Sequence, residues 1–232
     1  MKNFIIKFSL FVLTFYCSNI TFAQNSGTGL LIQEDNQTPL ISPFSGKKAT
    51  DLKTVVNLKP FAPIPEDQGK ISSCVGWSIA YGAMTIMHAQ RENWTDKEKI
   101  TANAFSPHFV YNQVARFKDS DCGTGGAHFS HALRLIMEQG VCKRNTFNLS
   151  ADRCDVMPKE SQKIDAAQYR IKDYLQLFKS KDLEKVKIRR IRESLNNDIP
   201  VIVGMKLDDT FMDIKPGDKY WKPSPDSKKE EN

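Results

Sequence analysis

Apolar residues spaced three and four positions apart give the first strong prediction of a helix in the chain. Apolar residues recur at that spacing after Cys74 and predict one buried helix that reaches Gln90. Ser72 and Ser73 stand directly before it, and a serine side chain there suits the N-cap position. The residues that define the apolar face are Val75, Ile79, Ala83, Ile86 and Met87.

Two further helices are predicted in the same half of the chain. One begins at Ser106 and Pro107, because serine caps helices and proline is favoured in the first turn. The other runs from His128 to Gln139 and ends before Gly140, a residue typical of helix C-termini. Residues 142–162 carry no such periodicity and are predicted to form a loop.

The pattern changes in the second half of the chain. Alternating apolar residues over 169–177 and a short apolar run over 199–205 predict two strands. Between them, residues 183–196 predict a basic amphipathic helix with Val186, Ile188 and Ile191 facing inward. A helical part followed by a strand-containing part favours the α+β class with two lobes, about 72–160 and about 161–232.

The N-terminal 23 residues have the pattern of a secretory signal peptide. Lys2 and Lys7 precede an apolar stretch from Phe8 to Tyr16, and Ala23 provides a small residue at the expected cleavage site. Residues 24–54 are polar and rich in Gly, Pro and Ser, which predicts a flexible arm before a domain at 55–232. The predicted location is therefore secreted or periplasmic, with no membrane segment after cleavage.

Charge and cysteine content narrow the classes of function. A net charge of +6 is mild, and the basic residues at 185–192 fit the wet face of a helix, so no nucleic-acid partner is predicted. Four cysteines follow the signal, and some of them should pair in an oxidising compartment. Cys122, Cys142 and Cys154 leave the pairing open. Their spacing with His128 and His131 matches no common zinc motif, so neither metal nor cofactor is predicted.

Cys74 is the candidate nucleophile. In the first turn of a helix, a sulfur lies near unpaired amides and the positive end of the dipole, which favours the reactive thiolate. The alternative is a small buried core residue, which is a common place for cysteine in proteins. The residues around Cys74 distinguish the two.

Four segments in order resemble the papain-like cysteine peptidases. Gln68-Gly69 precedes Cys74 at the family's spacing, and Trp77-Ser78 falls where the family has an aromatic residue and serine. Further matches are Phe105 to Asn112, the run Cys122-Gly-Thr-Gly-Gly, and Pro200-Val201. Two departures are Val75 in place of a tryptophan and Ile71 in place of a disulfide cysteine.

The resemblance implies a role for each matched residue. Cys74 would attack a peptide carbonyl to form an acyl-enzyme, and the Gln68 amide would stabilise the oxyanion. Gly125 and Gly126 would pair with the backbone of an extended substrate, and Phe129 would line a substrate pocket. The implied protein is a monomeric thiol protease whose partner is a peptide or protein substrate.

The family's general base has no counterpart among the four histidines of this sequence. His88, His108, His128 and His131 all precede the strand after which the resemblance implies the catalytic histidine, and His88 lies about 20 Å along the helix from Cys74. The resemblance thus implies a peptidase domain incomplete at its C-terminus and inactive as this chain. The alternatives are a secreted pseudoenzyme that binds extended peptides without cleavage, and a base supplied by a partner chain or by a residue outside the family pattern.

Overall fold

The structure, a computed structural model, describes residues 29–32, 52–116, 122, 125–150, 153–205, 207–215, 217–218 and 220–222. The predicted signal peptide and most of the predicted arm lie outside the described residues. Within the described ranges, no helix combines the length and hydropathy that crossing a bilayer requires.

The predicted first helix is confirmed, and it extends to Arg91. This helix, α1, covers 74–91: an α-helical turn Cys74–Gly76, a π-helical stretch Trp77–Met84 and an α-helix Thr85–Arg91. The predicted serine cap is wrong. Ser73 occupies the N-cap position with φ −97° and ψ 16°, not the extended backbone that capping needs, and its hydroxyl makes no capping bond.

Three short helices complete the first half of the domain. α2 covers Lys97–Ala102, α3 covers Pro107–Val114 and α4 covers Phe129–Glu138. The predicted cap of α3 is confirmed, since Ser106 Oγ accepts a hydrogen bond from the backbone N–H of Phe109 at 3.1 Å. The predicted end of α4 is also confirmed, with Gly140 at φ +89°.

The predicted loop over 142–162 is wrong at its end, where helix α5 covers Glu160–Ala166. The Gln162 side chain accepts a bond from the Lys159 backbone N–H at 2.8 Å and donates one to the Thr146 carbonyl at 2.8 Å. These bonds hold the first turn of α5 without any Ser, Thr, Asp or Asn at the cap, which is why the cap pattern was not visible in the sequence.

The second half contains helix α6, Glu184–Asn196, as predicted, but Ile188 on it is 49% exposed and not inward. Neither predicted strand forms in residues 169–177 and 199–205. Among the described residues, β-structure consists of isolated bridges, such as Phe105 with Lys143. An alternating pattern forms a strand only when a partner strand pairs along it. In these two segments the described pairing is isolated, such as the Val141 N–H bonded to the Tyr169 carbonyl at 3.2 Å. The β-containing second lobe therefore stays a prediction.

The core of the domain lies between α1, α3 and α4. Each fully buried Val or Ile contributes about 1.5–3 kcal/mol of stability relative to an exposed one. The helices α1 and α3 cross closely at Gly76, where a Cβ atom would lie 2.4 Å from the Pro107 carbonyl oxygen. The largest fully buried side chains include Ile71, Val75, Ile79, Phe105, Phe109, Val110, Tyr111 and Ile136.

A disulfide settles the open question of cysteine pairing. Cys122 and Cys154 are bonded, with their Cα atoms 5.7 Å apart, and the alternatives that paired Cys142 are wrong. Cys142 is a buried free thiol whose pKa is raised to about 12 by burial and by the nearby charge of Asp165.

Candidate active site

Cys74 is the first residue of α1, and its side chain is half-buried. Burial raises the pKa of the Cys74 thiol above its ordinary value, while the backbone amides of Gly29, Val75 and Cys74 itself act in the opposite direction. The amides at the helix start therefore stabilise the Cys74 thiolate, as the sequence predicted. Desolvation of the sulfur has the larger effect on the pKa and acts in the opposite direction.

Gln68 lies in the turn that leads toward α1. Gly69 adopts φ +72° and donates its backbone N–H to the Asp67 carboxylate at 2.8 Å, which closes the turn. The Gln68 amide donates to the Ile71 carbonyl at 3.1 Å. A primary amide carries two N–H donors, so this bond uses one of them and fixes the orientation of the group.

The predicted glycine pair lies at a buried backbone edge. Both backbone groups of Gly126 pair with Arg116, with N to O distances of 2.8 and 3.1 Å. The next residue, Ala127, directs its backbone groups the other way and pairs with an extended segment, residues 29–32. We call this segment the strap.

Two backbone hydrogen bonds hold the strap against Ala127. The Leu31 N–H donates to the Ala127 carbonyl at 3.0 Å, and the Ala127 N–H donates to the Gly29 carbonyl at 2.8 Å. The pairing of Leu30 with Ala127 is parallel. His128 adds a third bond, in which its Nδ1 donates to the Leu31 carbonyl at 2.8 Å.

Phe129 lies at one wall of an apolar cavity of about 880 Å³ next to the strap. The Leu30 side chain packs toward Gly204, where a Cβ would lie 2.4 Å from Leu30 and 3.1 Å from the Phe129 ring. The cavity is wide enough for several peptide side chains. Its lining includes Leu30, Phe129, Leu133, Tyr174, Ile199 and Gly204.

The four histidines make contacts of other kinds. His88 packs edge-on against the rings of Trp94, Phe105 and Tyr169. His108 is 4% exposed on α3, and burial, with a smaller effect of the Arg144 charge, lowers its pKa. His131 packs its ring against that of His128. None of these contacts is to the Cys74 sulfur.

In the part of the chain that the structure describes, no three His, Cys, Asp or Glu side chains lie together as a metal ion would need. Tyr111 is the buried side chain whose pKa responds to Cys74: burial raises it, and the Cys74 charge raises it further. The reactive side chain that the structure places at the start of α1 is the Cys74 thiol.

Sequence reasoning missed three residues that contact this region: Gly29, Ala127 and Gly204. A signal for the first was present, because Leu30, Leu31 and Ile32 form an apolar run inside an otherwise polar arm. Such a run in a polar segment favours burial against the domain. Ala127 carries no side-chain signal, since it acts through its backbone.

Comparison with known proteins finds a similar fold among solved structures. No family model matches the chain, and no curated protein matches it. Among solved structures, the chain is similar to the crystal structure of xylellain, a cysteine protease from Xylella fastidiosa, with a TM-score of 0.55 and 19% sequence identity over 75% of this chain. The chain spans 64% of that protein. At this identity the likeness shows the fold, and the chain therefore has the fold of a cysteine protease.

Proposed function

We propose that the protein is a papain-like cysteine peptidase in which Cys74 is the nucleophile. The observation that carries the proposal is the position of Cys74 at the start of α1, beside a backbone edge at Ala127 that holds an extended segment. The fold shared with a cysteine protease supports the same assignment. The Cys122–Cys154 disulfide is consistent with a secreted or periplasmic location.

In the proposed reaction, the Cys74 thiolate attacks the carbonyl carbon of a peptide bond. A C–S bond forms, the C–N bond breaks, and the leaving amine takes a proton from solvent water. A second water molecule later breaks the C–S bond, which releases the acid and returns the thiol. The developing oxyanion would accept hydrogen bonds from the Gln68 amide and the Cys74 backbone N–H. One such donor is typically worth about 3 kcal/mol of the barrier.

Peptide recognition would use the positions that now hold the strap. The sequence assigned the pairing with a substrate backbone to Gly125 and Gly126, but both backbone groups of Gly126 are bonded to Arg116, so we assign this pairing to Ala127. Gly125 and Gly126 would keep that edge free of side chains. Phe129 would contact a substrate side chain in the apolar cavity. The expected partner is a peptide or protein in an extended conformation.

Turnover by the 232-residue chain is expected to be very slow. The observed partners of His88 and His128 are an aromatic ring and the Leu31 carbonyl, and His108 is buried on α3, so none of these contacts is to the Cys74 sulfur. A nucleophile without its base loses about 10⁴ to 10⁶ in rate. Acylation by an activated ester depends less on the base, since the leaving group needs no proton, and it therefore provides the more sensitive test.

The first experiment measures acylation of the chain by a peptidyl p-nitrophenyl ester and alkylation by iodoacetamide. The expected results are a stable acyl adduct at Cys74 and none in Cys74→Ala. Gln68→Ala should slow acylation by about 10²- to 10³-fold but leave alkylation unchanged, because only acylation develops an oxyanion.

Gln90→Ala is the matched control, since Gln90 is also half-buried but donates to the Asp198 carbonyl. Equal slowing by the two glutamine variants, or an adduct elsewhere than at Cys74, contradicts the proposed site.

A second candidate function is peptide binding without cleavage. The raised pKa of the Cys74 thiol and the non-covalent occupation of the Ala127 edge favour it. Under this function the chain would bind an extended peptide with measurable affinity, and Cys74 would acylate no faster than an ordinary thiol.

A further inference from the structure

A side chain of α1 holds the chain just before the Gln68 turn. Tyr81 lies in the π-helical stretch of α1 and is 5% exposed. Its hydroxyl lies 2.6 Å from the Ile64 carbonyl oxygen and 3.0 Å from Glu66 Oε1. A hydroxyl has one hydrogen, which these two acceptors share. The helix that begins at the candidate nucleophile is therefore also bonded to the segment that leads to Gln68.

Arg144 is the second partner of the Glu66 carboxylate. Its Nη1 donates to Glu66 Oε1 at 2.6 Å, and the two side chains are 25% and 33% exposed. The Arg144 guanidinium also lies over the rings of Tyr81 and Trp77, with its Cζ atom 5.3 and 5.9 Å from their centroids. Its backbone N–H donates to the carbonyl of the buried Ala104 at 2.9 Å. Arg144 is thus held by the domain core and gives Glu66 a fixed partner.

The place of the turn on the domain depends on contacts with distant residues. The two hydrogen bonds within the turn join residues at most three positions apart and set only its shape. Before the turn, the distant contacts are the bonds of Glu66 to Tyr81 and Arg144. After it, the Ser72 N–H donates to the Cys122 carbonyl at 3.2 Å. A group that stabilises an oxyanion must be held to within about 0.5 Å of its working position, so these contacts bear on the reaction.

The protonation states of the network suit a permanent tether. Burial raises the pKa of Glu66, hydrogen bonds from Arg144 and Tyr81 lower it, and the net pKa lies below 4.5. Burial, together with the hydrogen bond and the charge of Glu66, raises the pKa of Tyr81 to about 12. Glu66 is therefore an ionised acceptor and Tyr81 a neutral donor from about pH 5 to about pH 10.

We propose that Tyr81, Glu66 and Arg144 are positioning residues for the oxyanion donor Gln68, which they tether to the helix that carries the nucleophile. The proposal rests on the proposed roles of Cys74 and Gln68 in acyl transfer. All three residues act through the place of the turn and not through contact with the reacting atoms.

The first measurement is ¹⁵N relaxation of the Gln68 side-chain amide by NMR in the full chain. This amide should be ordered in the wild type, and in Tyr81→Phe and Glu66→Gln its order parameter should fall below about 0.6. Tyr169→Phe is the matched control, because it removes a hydroxyl from a ring that packs against His88 and Phe105. That control should leave the Gln68 order parameter unchanged.

The pH dependence of the same order parameter tests the role of the carboxylate. Arg144 and Tyr81 face Glu66, and His108 lies within the field of the Arg144 charge. The pKa of Glu66 is lower in the tethered state, so the tether should weaken as the pH falls from about 6 to about 3. Glu66→Gln should show no such change, and an acid step that persists in this variant assigns it to another group such as His108 and overturns the role of the carboxylate.

The second measurement compares acylation by the peptidyl p-nitrophenyl ester with alkylation by iodoacetamide. Tyr81→Phe and Glu66→Gln should each slow acylation about tenfold, a part of the loss expected for Gln68→Ala, and leave alkylation unchanged. The double variant should be about as slow as the slower single variant, because both changes break one tether. A merely structural role would change both rates or neither.

Arg144→Met should slow acylation in the same way, since it removes the charge but keeps a long apolar side chain. Arg153→Met is its matched control, because Arg153 pairs with Asp155 at 2.8 Å and not with Glu66. Equal slowing of acylation by the two arginine variants overturns the role of Arg144.

An unchanged Gln68 order parameter in folded Tyr81→Phe and Glu66→Gln proteins overturns the tether. A mobile Gln68 amide with unchanged acylation overturns its importance for the reaction. A wild-type chain that is never acylated at Cys74 overturns the proposed function, and the NMR measurement, which needs no acyl adduct, then still decides whether the tether exists.

Discussion

Residues 71–166 and the described residues after 166 bury different kinds of side chains. In the first region, apolar side chains such as Phe109 and Ile136 are wholly enclosed. In the second region, the most buried side chains are polar, Glu193 and Ser194 at 5% exposure each, while Val203 is 57% exposed.

The difference shows where the buried apolar core of the domain is formed. The helices of the first region cover one another's apolar faces and form the fully buried core, and Tyr169, Ile171 and Ile202 of the second region pack against it while only partly buried. In the second region, Glu193 is held by Arg189 at 2.7 Å, and the apolar residues of 199–205 contribute little to a core among the described residues. Helical periodicity therefore predicted α1 and α4 in the first region and α6 in the second, whereas the strands predicted in the second region do not form among the described residues.

The largest expected contrast is between Phe109, a core residue of the first region, and Val203, an exposed apolar residue of the second. Phe109→Ala should lower the free energy of unfolding by about 3–5 kcal/mol, because it leaves a cavity between α1 and α3. Val203→Ala should cost less than about 1 kcal/mol, since that side chain is mostly exposed. Urea unfolding followed by circular dichroism measures both, and similar losses at the two positions contradict the contrast.

The disulfide is the next largest contribution expected in the first region. Replacing Cys122 and Cys154 together with serine should cost about 2–4 kcal/mol, because the bond restricts a 32-residue separation in the unfolded chain. The control is the wild-type protein in reducing agent, which should unfold at the same urea concentration as the double variant. A variant as stable as the oxidised wild type would show that the link adds nothing to the core.

The smallest expected effect concerns a surface ion pair between Arg144 of the first region and Glu66, which precedes that region. Burial raises the pKa of Glu66, hydrogen bonds from Arg144 and Tyr81 lower it, and the net pKa lies below 4.5. A carboxyl whose pKa is lower in the folded state adds stability above its unfolded pKa and loses it as the pH falls through the folded pKa.

Glu66→Gln should therefore cost at most about 1 kcal/mol at pH 7, since the pair is partly exposed, and less at pH 3, where the carboxyl begins to be protonated. Unfolding at the two pH values measures this change, and a cost that persists in acid would assign the effect to packing. Arg153, which pairs with Asp155 at the surface, provides a control that should change stability less.

The residues that the sequence predicted correctly depend on local interactions. The α3 cap at Ser106 and the end of α4 at Gly140 follow from the side chain or backbone freedom of a single residue. Cys74 was identified as the start of α1 for the same reason. The positions of Gln68 and the glycine pair as substrate contacts stay predictions.

What could not be predicted depends on contacts between distant parts of the chain. The strap contacts Ala127, which is nearly a hundred positions away in the chain. These contacts are backbone hydrogen bonds, which almost any residue type can make, so the sequence does not indicate them. The pKa of Cys74 likewise depends on burial by surrounding segments, which outweighs the local effect of the helix start. The strand predictions failed because an alternating pattern specifies a face but not a partner.

The close crossing of α1 and α3 at Gly76 fixes the position of the Cys74 sulfur along the axis of α1. A shift of α1 by one residue would move it about 1.5 Å along its axis and bring the side chain of Val75 or Trp77 against the Pro107 carbonyl, where only a hydrogen fits. Because Gly76 has no side chain, α3 can pack closely against α1 at this position only, which fixes the register of the two helices. The same packing contact fixes the position of Cys74, which lies two residues earlier on α1.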